Sequence, residues 1–290
     1  MADEGDRCAF SVIGGDKRLL FAARRLHTAS RRVKLCGFEL LENEGVTNVP
    51  LSEALGSDAL VFGLPFTKNG ISLNAPYAKP SVSVREMLSM LPVGKRVFLG
   101  GADDRVTAQL SAVGARVYDY FRDPVLLERN ARLTAEALLG FLITELPVGL
   151  SGLPVGVVGA GRIALSLTGL LVACGADVTV FARDRLQLAR ATLLGADAAG
   201  LSDLGAECRP LAALVNTVPA PVAGADVLCA LPKNCLLLEA ASAPFGIDET
   251  AAEQAGMRLI RASFLPGRFS PESAGAYIAD AIEAMSREVK

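Results

Sequence analysis

The chain has 290 residues, 51% of them hydrophobic and 21% charged, so it can bury a sizeable core, and at roughly 100 to 200 residues per domain it divides into two. Lys and Arg number 29 against 31 acids, a formal net charge of −2, which excludes a nucleic-acid or polyanion binder that relies on a global positive field. One histidine, His27, and six cysteines with no C-x-x-C pair exclude a histidine-rich metal site, a zinc ribbon and a dense disulfide framework, leaving reduced thiols in a cytoplasmic protein as the expectation.

The amino terminus, MADEGDRCAFSVIGGD, is acidic with only a short apolar run, unlike a secretory signal. Apolar runs predict strands over 9–13, 32–36, 59–62, 96–99 and 116–118, with a helix over 17–28. Strands separated by helical crossovers indicate a parallel sheet, because a parallel connection needs a dozen or more residues. Between Asp16 and Lys34 seven cationic side chains stand against one acid, which reads as a solvated helix face or as a partner-binding surface. Residues 67–83, TKNGISLNAPYAKPSVS, read as a long loop of the kind that often carries function.

Residues 123–146 begin with Asp-Pro and repeat apolar positions every three or four residues, predicting a long connecting helix. The second half predicts strands over 155–158, 177–181, 213–216, 235–239 and 258–261 and a closing helix over 271–286. From Leu146 to Ala176 the only charge is Arg162, yet Pro147, Pro154 and the glycines at 149, 152, 156, 159 and 161 break the run, so it reads as buried strand and helix rather than a membrane span. The expected fold class is α/β, two doubly wound parallel-sheet domains of Rossmann type with an interdomain cleft. Residues 1–122 form an N-terminal substrate or partner domain, and 123–290 hold the connecting helix and a nucleotide-binding domain.

The sharpest motif is V-G-V-V-G-A-G-R-I-A, with Gly159, Gly161 and Ala164 at the G-x-G-x-x-A positions, after an apolar strand and opening a helix. Gly159 permits the tight turn, Gly161 a close approach of backbone to a pyrophosphate, and Ala164 tight helix packing, so Gly159, Ala160, Gly161, Arg162 and Ile163 are candidate cofactor contacts. The next strand ends in Ala182-Arg183, an uncharged residue and a guanidinium where an NAD-specific site places an acid. This favours NADP, while Asp184 keeps NAD open. Asn216, Thr217, Val218 and Pro219, then Ser242, follow later strand ends, where doubly wound sheets bind ligands, although such residues are also ordinary turn formers. The loop 263–271 adds Leu265 and Pro266 and presents Arg268 to a substrate carboxylate. In the first half, the amides of Gly14-Gly15 with Arg18 form a further candidate site for an anionic group of substrate.

With these residues in place, the chain resembles the A-subunit family of dipicolinate synthase over nearly its whole length. The resemblance rests on Val12-Ile13-Gly14-Gly15-Asp16 with Arg18, on Asn130 with Thr134 and Glu136, on the Gly159 turn and Ala182-Arg183, and on Asn216-Thr217-Val218-Pro219. It continues through Ala241-Ser242 with Pro244 and Leu265-Pro266-Gly267 with Pro271, Ala274 and Gly275. Glu239 stands where that family has an aspartate, Phe245 where it has a glycine and Leu133 where it has a proline. The resemblance implies part of a sporulation enzyme that oxidises dihydrodipicolinate to dipicolinate, pyridine-2,6-dicarboxylate, with NADP or NAD as hydride acceptor. It also implies a flavoprotein-like partner, the B-subunit of dipicolinate synthase, and leaves a homo-oligomer open. Asn130, Thr134 and Arg268 are then the expected substrate contacts, with Glu136 or a water as weak base. No histidine base is needed, because loss of hydride and proton aromatises the ring. Two other readings stand: a non-catalytic nucleotide-binding protein that supports the flavoprotein-like partner, and a different two-domain NADP dehydrogenase of a small carboxylate.

Overall fold

Alternating apolar strands and helices build two parallel six-stranded sheets in the computed structural model, which describes residues 9–28, 31–41, 45–101, 103–208 and 210–288. The chain divides into two compact units, one of residues up to Asn130 joined by those from Ser270 onward, the other Ala131–Phe269. The first contains β1 (Phe10–Ile13), α1 (Lys17–Leu26), β2 (Val33–Cys36), β3 (Thr47–Asn48), α2 (Leu51–Ala54), β4 (Ala59–Phe62), α3 (Val84–Met90), β5 (Arg96–Leu99), α4 (Asp104–Ala112) and β6 (Arg116–Asp119). The long helix α5 (Pro124–Glu145) leads into the second, with β7 (Pro154–Val158), α6 (Arg162–Ala173), β8 (Asp177–Ala182), α7 (Arg185–Leu193), β9 (Asp197–Gly200), α8 (Leu204–Glu207) and β10 (Ala213–Asn216). It continues with α9 (Ala225–Ala230), β11 (Leu236–Glu239), α10 (Glu249–Gln254), β12 (Leu259–Arg261) and α11 (Leu265–Phe269). The last helix is α12 (Pro271–Glu288).

Both sheets have the same topology. The first runs β3-β2-β1-β4-β5-β6 and the second, read in the same sense, β9-β8-β7-β10-β11-β12, so each reverses winding direction beside its first strand. The central strands are buried throughout, which is why they read as predominantly apolar runs such as FSVI, ALVF and ALVN, broken only by the buried Ser11 and Asn216. Alternate residues feed opposite faces: Phe10, Val12 and Val61 enter one core of the first unit, Ile13, Leu60 and Phe62 the other. Val157 and Val215 against Val158 and Leu214 do the same in the second. Sequence periodicity missed β3, which has two residues, and β9, whose sequence DAAG carries no β-branched or large apolar side chain. The segment from 263 to 271 is no plain loop, since α11 occupies its middle.

The expected boundary at 122/123 differs from the division into units, because α12 packs on the first. Ile278, Ala279, Ala281 and Ile282 of α12 enter the core that holds Leu19, Ala22, Ala23 and Leu26 of α1. The two helices approach so closely at Gly275 that a Cβ there would collide with the Arg18 carbonyl and lie 2.6 Å from Phe21 Cβ. The cationic stretch finds its partners here too. Arg31 pairs with Glu283 at 2.8 Å, and Arg25 and Arg129 both pair with Asp280, so much of the charge read as a solvated or partner-facing surface is bound within the unit. Cys36, Cys208 and Cys235 are buried, and burial lifts the thiol of Cys36 to about 11 and that of Cys235 to about 12. Cys8 lies outside the described residues, among which no helix is long and apolar enough to cross a membrane.

Gly275→Ala is expected to cost about 1–3 kcal/mol, since the new methyl meets backbone and not the far end of a flexible side chain. The urea midpoint of the variant checks this, and an unchanged midpoint would mean that α1 and α12 can move apart freely.

Candidate functional site

Ligands of doubly wound sheets collect at the carboxyl edge where winding reverses, which in the second unit lies between β7 and β10. The chain leaves β7 at Val158 and turns at Gly159, whose φ of 101° is open to glycine and strained for any other residue. Its amide donates to Phe181 O at 2.8 Å, and a Cβ would collide with the Thr217 hydroxyl, itself donated to Val158 O at 2.8 Å. Gly161 then serves as N-cap of α6 without any side chain to cap the helix, and a Cβ built there meets nothing within 4 Å. A positive helix end with no side-chain cap, behind a turn stripped of side chains, is a site for an anion that comes close to backbone. Ala160 and Ala164 are buried beneath it, Ile163 is half-buried and Arg162 is exposed.

Across the switch point the ends of β10 and β11 are tied together. Asn216, fully buried, donates through Nδ2 to Glu239 Oε1 at 2.7 Å and to Val218 O at 3.0 Å, while its Oδ1 accepts from Val218 N at 3.0 Å. Glu239, 1% exposed, accepts further from Ala241 N at 3.0 Å, Gly246 N at 2.8 Å and Ile247 N at 2.9 Å. One carboxylate therefore shapes both loops, 216–219 and 240–247, on which Thr217, Val218, Pro219 and Ser242 are carried. Phe245 sits at φ 64°, a left-handed position in which an aromatic residue is strained, and the Arg261 guanidinium covers its ring at 4.0 Å. Arg261 also pairs with Glu249, and this hydrogen bond holds the Glu249 carboxyl below its ordinary value. From the sequence, Glu239 stands out only as the start of a strand-end segment, Glu239 to Ser242, at the ligand-binding edge and as a departure from a family pattern, not as a buried tie between two loops. The available signal was a lone acid ending the apolar run LLLE.

The remaining predicted residues fall in several places. Ala182 ends β8 buried, and Arg183 follows it exposed, while Asp184 caps α7 by accepting from Gln187 N at 2.8 Å. Leu265 and Pro266 are buried in the core under α11, and Arg268 is exposed with its guanidinium 5.5 Å from the Phe269 ring. Asn130 and Thr134 lie four residues apart on α5 and so share a face, with Thr134 buried. Glu136 lies about 200° around the helix from Thr134; it is exposed and pairs with Arg132 at 2.9 Å. The structure does not bring Glu136 together with Asn130 and Thr134.

The glycine turn of the first unit is already filled by its own chain. Gly14 N donates to Cys36 O at 2.8 Å, Gly15 N to Asn74 O at 2.6 Å and Arg18 N to the capping Asp16 carboxylate at 3.0 Å. Arg18 is buried, with Nε and Nη2 bound to Asp16 and Nη2 also to Leu64 O at 3.0 Å. The amides of Gly14, Gly15 and Arg18 and the Nε and Nη2 of Arg18 thus donate within the unit, which the expectation of an anion at this turn did not foresee. The long segment 67–83 supplies the filling, through Asn74 and through Ala75, whose Cβ would lie 3.0 Å from a Cβ on Gly14. Among the described residues no cluster of three or more His, Cys, Asp or Glu could hold a metal.

Residues 9–121 match the family model described as the N-terminal domain of the dipicolinate synthase A-subunit. The A-subunit of dipicolinate synthase from Bacillus subtilis (strain 168) is 25% identical over 291 residues, covering 97% of this chain and 96% of that protein. The crystal structure of the corresponding A-subunit from Bacillus halodurans matches with a TM-score of 0.87 at 27% identity, over 96% of this chain and 97% of that one. A transhydrogenase from Sinorhizobium meliloti, 13% identical, shares the fold at a TM-score of 0.72 over 96% of this chain and 94% of that one.

The two glycines of the turn should respond differently to one added methyl. Gly159→Ala is expected to lose about 1–3 kcal/mol of stability, from its positive φ and the collision with Thr217. Gly161→Ala should lose less, about 0.5 kcal/mol, the cost of alanine at an N-cap with open space around its methyl. Denaturant midpoints measured side by side check the pair, and equal losses would contradict the geometry of the turn.

Proposed function

We propose that this chain, a relative of the dipicolinate synthase A-subunit over nearly its whole length, is an NADP-dependent oxidoreductase that oxidises dihydrodipicolinate to dipicolinate in the cytoplasm of a sporulating cell. The observation that carries this reading is the α6 N-terminus, left without a side-chain cap behind the Gly159–Gly161 turn at the point where the sheet reverses. A dinucleotide fits these residues. Its pyrophosphate would meet the backbone of Gly159, Ala160, Gly161, Arg162 and Ile163, where a side chain at Gly159 has no room and one at Gly161 would stand in the ligand's place. Ala182 and Arg183 would receive the adenosine ribose, with the exposed guanidinium available to a 2′-phosphate and Asp184 withdrawn into a helix cap. Asn216, Thr217, Val218, Pro219 and Ser242 border the other half of the edge.

When bound, NADP supplies the hydride acceptor. Oxidation removes a hydride and a proton from the dihydropyridine ring and leaves an aromatic pyridine, so the protein's own task is chiefly to orient the ring and hold its carboxylates. Arg268, exposed at the end of α11, is the proposed carboxylate anchor. Asn130 and Thr134 are proposed substrate contacts, and water takes the proton, since Glu136 is engaged with Arg132 on the far side of α5 from Thr134. The relatives' description as one subunit of a synthase supports a partner, which we take to be the flavoprotein-like B-subunit and to assist turnover.

The decisive experiment places an acid at the helix end. Gly161→Asp supplies α6 with the side-chain cap that Asp16 gives α1, and is expected to hold stability or raise it by about 0.3 kcal/mol. It should weaken NADPH binding at least about tenfold, a loss of some 1.4 kcal/mol in binding. Arg183→Ala should weaken NADPH more than NADH, and Arg268→Ala should raise KM for dihydrodipicolinate with NADPH affinity intact. NADPH binding to Gly161→Asp at wild-type strength would overturn the assignment of the site.

A further inference from the structure

The final residues of β10, β11 and β12 form one row in register, Asn216, Glu239 and Arg261. Its middle member is a buried negative charge without a bonded counter-ion. The four groups that donate to Glu239, the Asn216 amide and the backbone N–H groups of Ala241, Gly246 and Ile247, are all neutral. Both oxygens only accept, which is the pattern of an ionised carboxylate. Arg261, its neighbour in the row, is exposed and turned to Glu249 and the Phe245 ring. A neutral amide at this position would offer one acceptor oxygen against four donors, so the carboxylate serves the loops as well as carrying charge. What the carboxylate adds is a fixed charge in a region of low dielectric, where its field reaches further than in water.

That field meets a ligand with one variable charge. The oxidised and reduced forms of a nicotinamide nucleotide share their phosphates and riboses and differ by a single positive charge on the ring. With the adenosine end assigned to β8, the ring end falls on the β10–β11 side of the switch point, the side that Glu239 organises. We infer that Glu239 biases the bound cofactor toward its oxidised form, tightening NADP+ relative to NADPH by keeping a buried negative charge on the half of the sheet edge where the cationic ring would bind. This rests on the nucleotide binding proposed above. The bias suits an oxidation that ends in an aromatic ring, since such a reaction retains a driving force even when the hydride acceptor is stabilised, and the reduced cofactor then leaves more readily.

The test is a pair of equilibrium titrations, NADP+ and NADPH, on the full chain and on Glu239→Gln and Glu239→Asp. Wild type is expected to bind NADP+ at least as tightly as NADPH. In Glu239→Gln the ratio of the two dissociation constants should move about threefold to tenfold toward NADPH, with Glu239→Asp restoring it; tenfold corresponds to about 30 mV for a two-electron couple. Loosening of the loops alone would weaken both nucleotides together and leave the ratio where it was, and that outcome overturns the inference. So does a wild-type chain that prefers NADPH, which decides the matter even if the Gln variant does not fold. Failure of wild type to bind either nucleotide overturns the proposed function as well, whereas binding of both with an unmoved ratio overturns this inference alone.

Discussion

The structure depends on how a helix end is satisfied. Four backbone N–H groups at the start of every helix lack partners within it, and something must face them. In the first unit the answer is internal: Asp16 caps α1, Arg18 locks Asp16, and Asn74 brings a carbonyl to Gly15. In the second unit no side chain caps the equivalent helix, and Gly159 and Gly161 keep the approach clear. Two sheets of identical strand order thus part company over a handful of atoms, one helix end closed by its own side chains and the other without a side-chain cap.

What surrounds that helix end is held by a polar network that is fully satisfied. Asn216 and Glu239 are both inside the protein, and every bond between them and the loops runs from a donor to a waiting acceptor. Buried polar groups in such a state rigidify what they touch, whereas a single orphaned member would make the same network costly. The loops that border the candidate site are therefore set by strand ends rather than by their own turn propensities. Phe245 shows the strength of this, since it keeps a left-handed backbone that glycine would adopt without strain.

Much of the fold was legible because parallel strands buried on both faces must be apolar along their length, and β4, β5 and β10 were read to the residue. The glycine turn was legible for a related reason: glycines spaced as at 159 and 161, directly after an apolar strand and opening a helix, mark a turn whose backbone needs them, and at 159 the positive φ and the nearby Thr217 leave a side chain no room. Less could be read where a pattern is short or bland, as in β3 and β9, or where the partner is remote in sequence. The pairing of Arg31 with Glu283 spans most of the chain, and nothing local to either residue announces it.

The amino-acid sequence by itself determined the class of fold, the position of the glycine turn between β7 and α6, the Ala182-Arg183 pair at the end of β8, and the family resemblance that the Bacillus relatives bear out. These are properties of short spans, where backbone need and side-chain type are written in the same few residues. Tertiary structure alone decided that α12 packs with α1, that the Gly14-Gly15 turn is filled by residues sixty positions away, and that Glu239 is a buried charge joining two loops. Each of these depends on which groups meet after folding, and a hydrogen bond or a collision between distant residues leaves no periodicity for a linear reading to find.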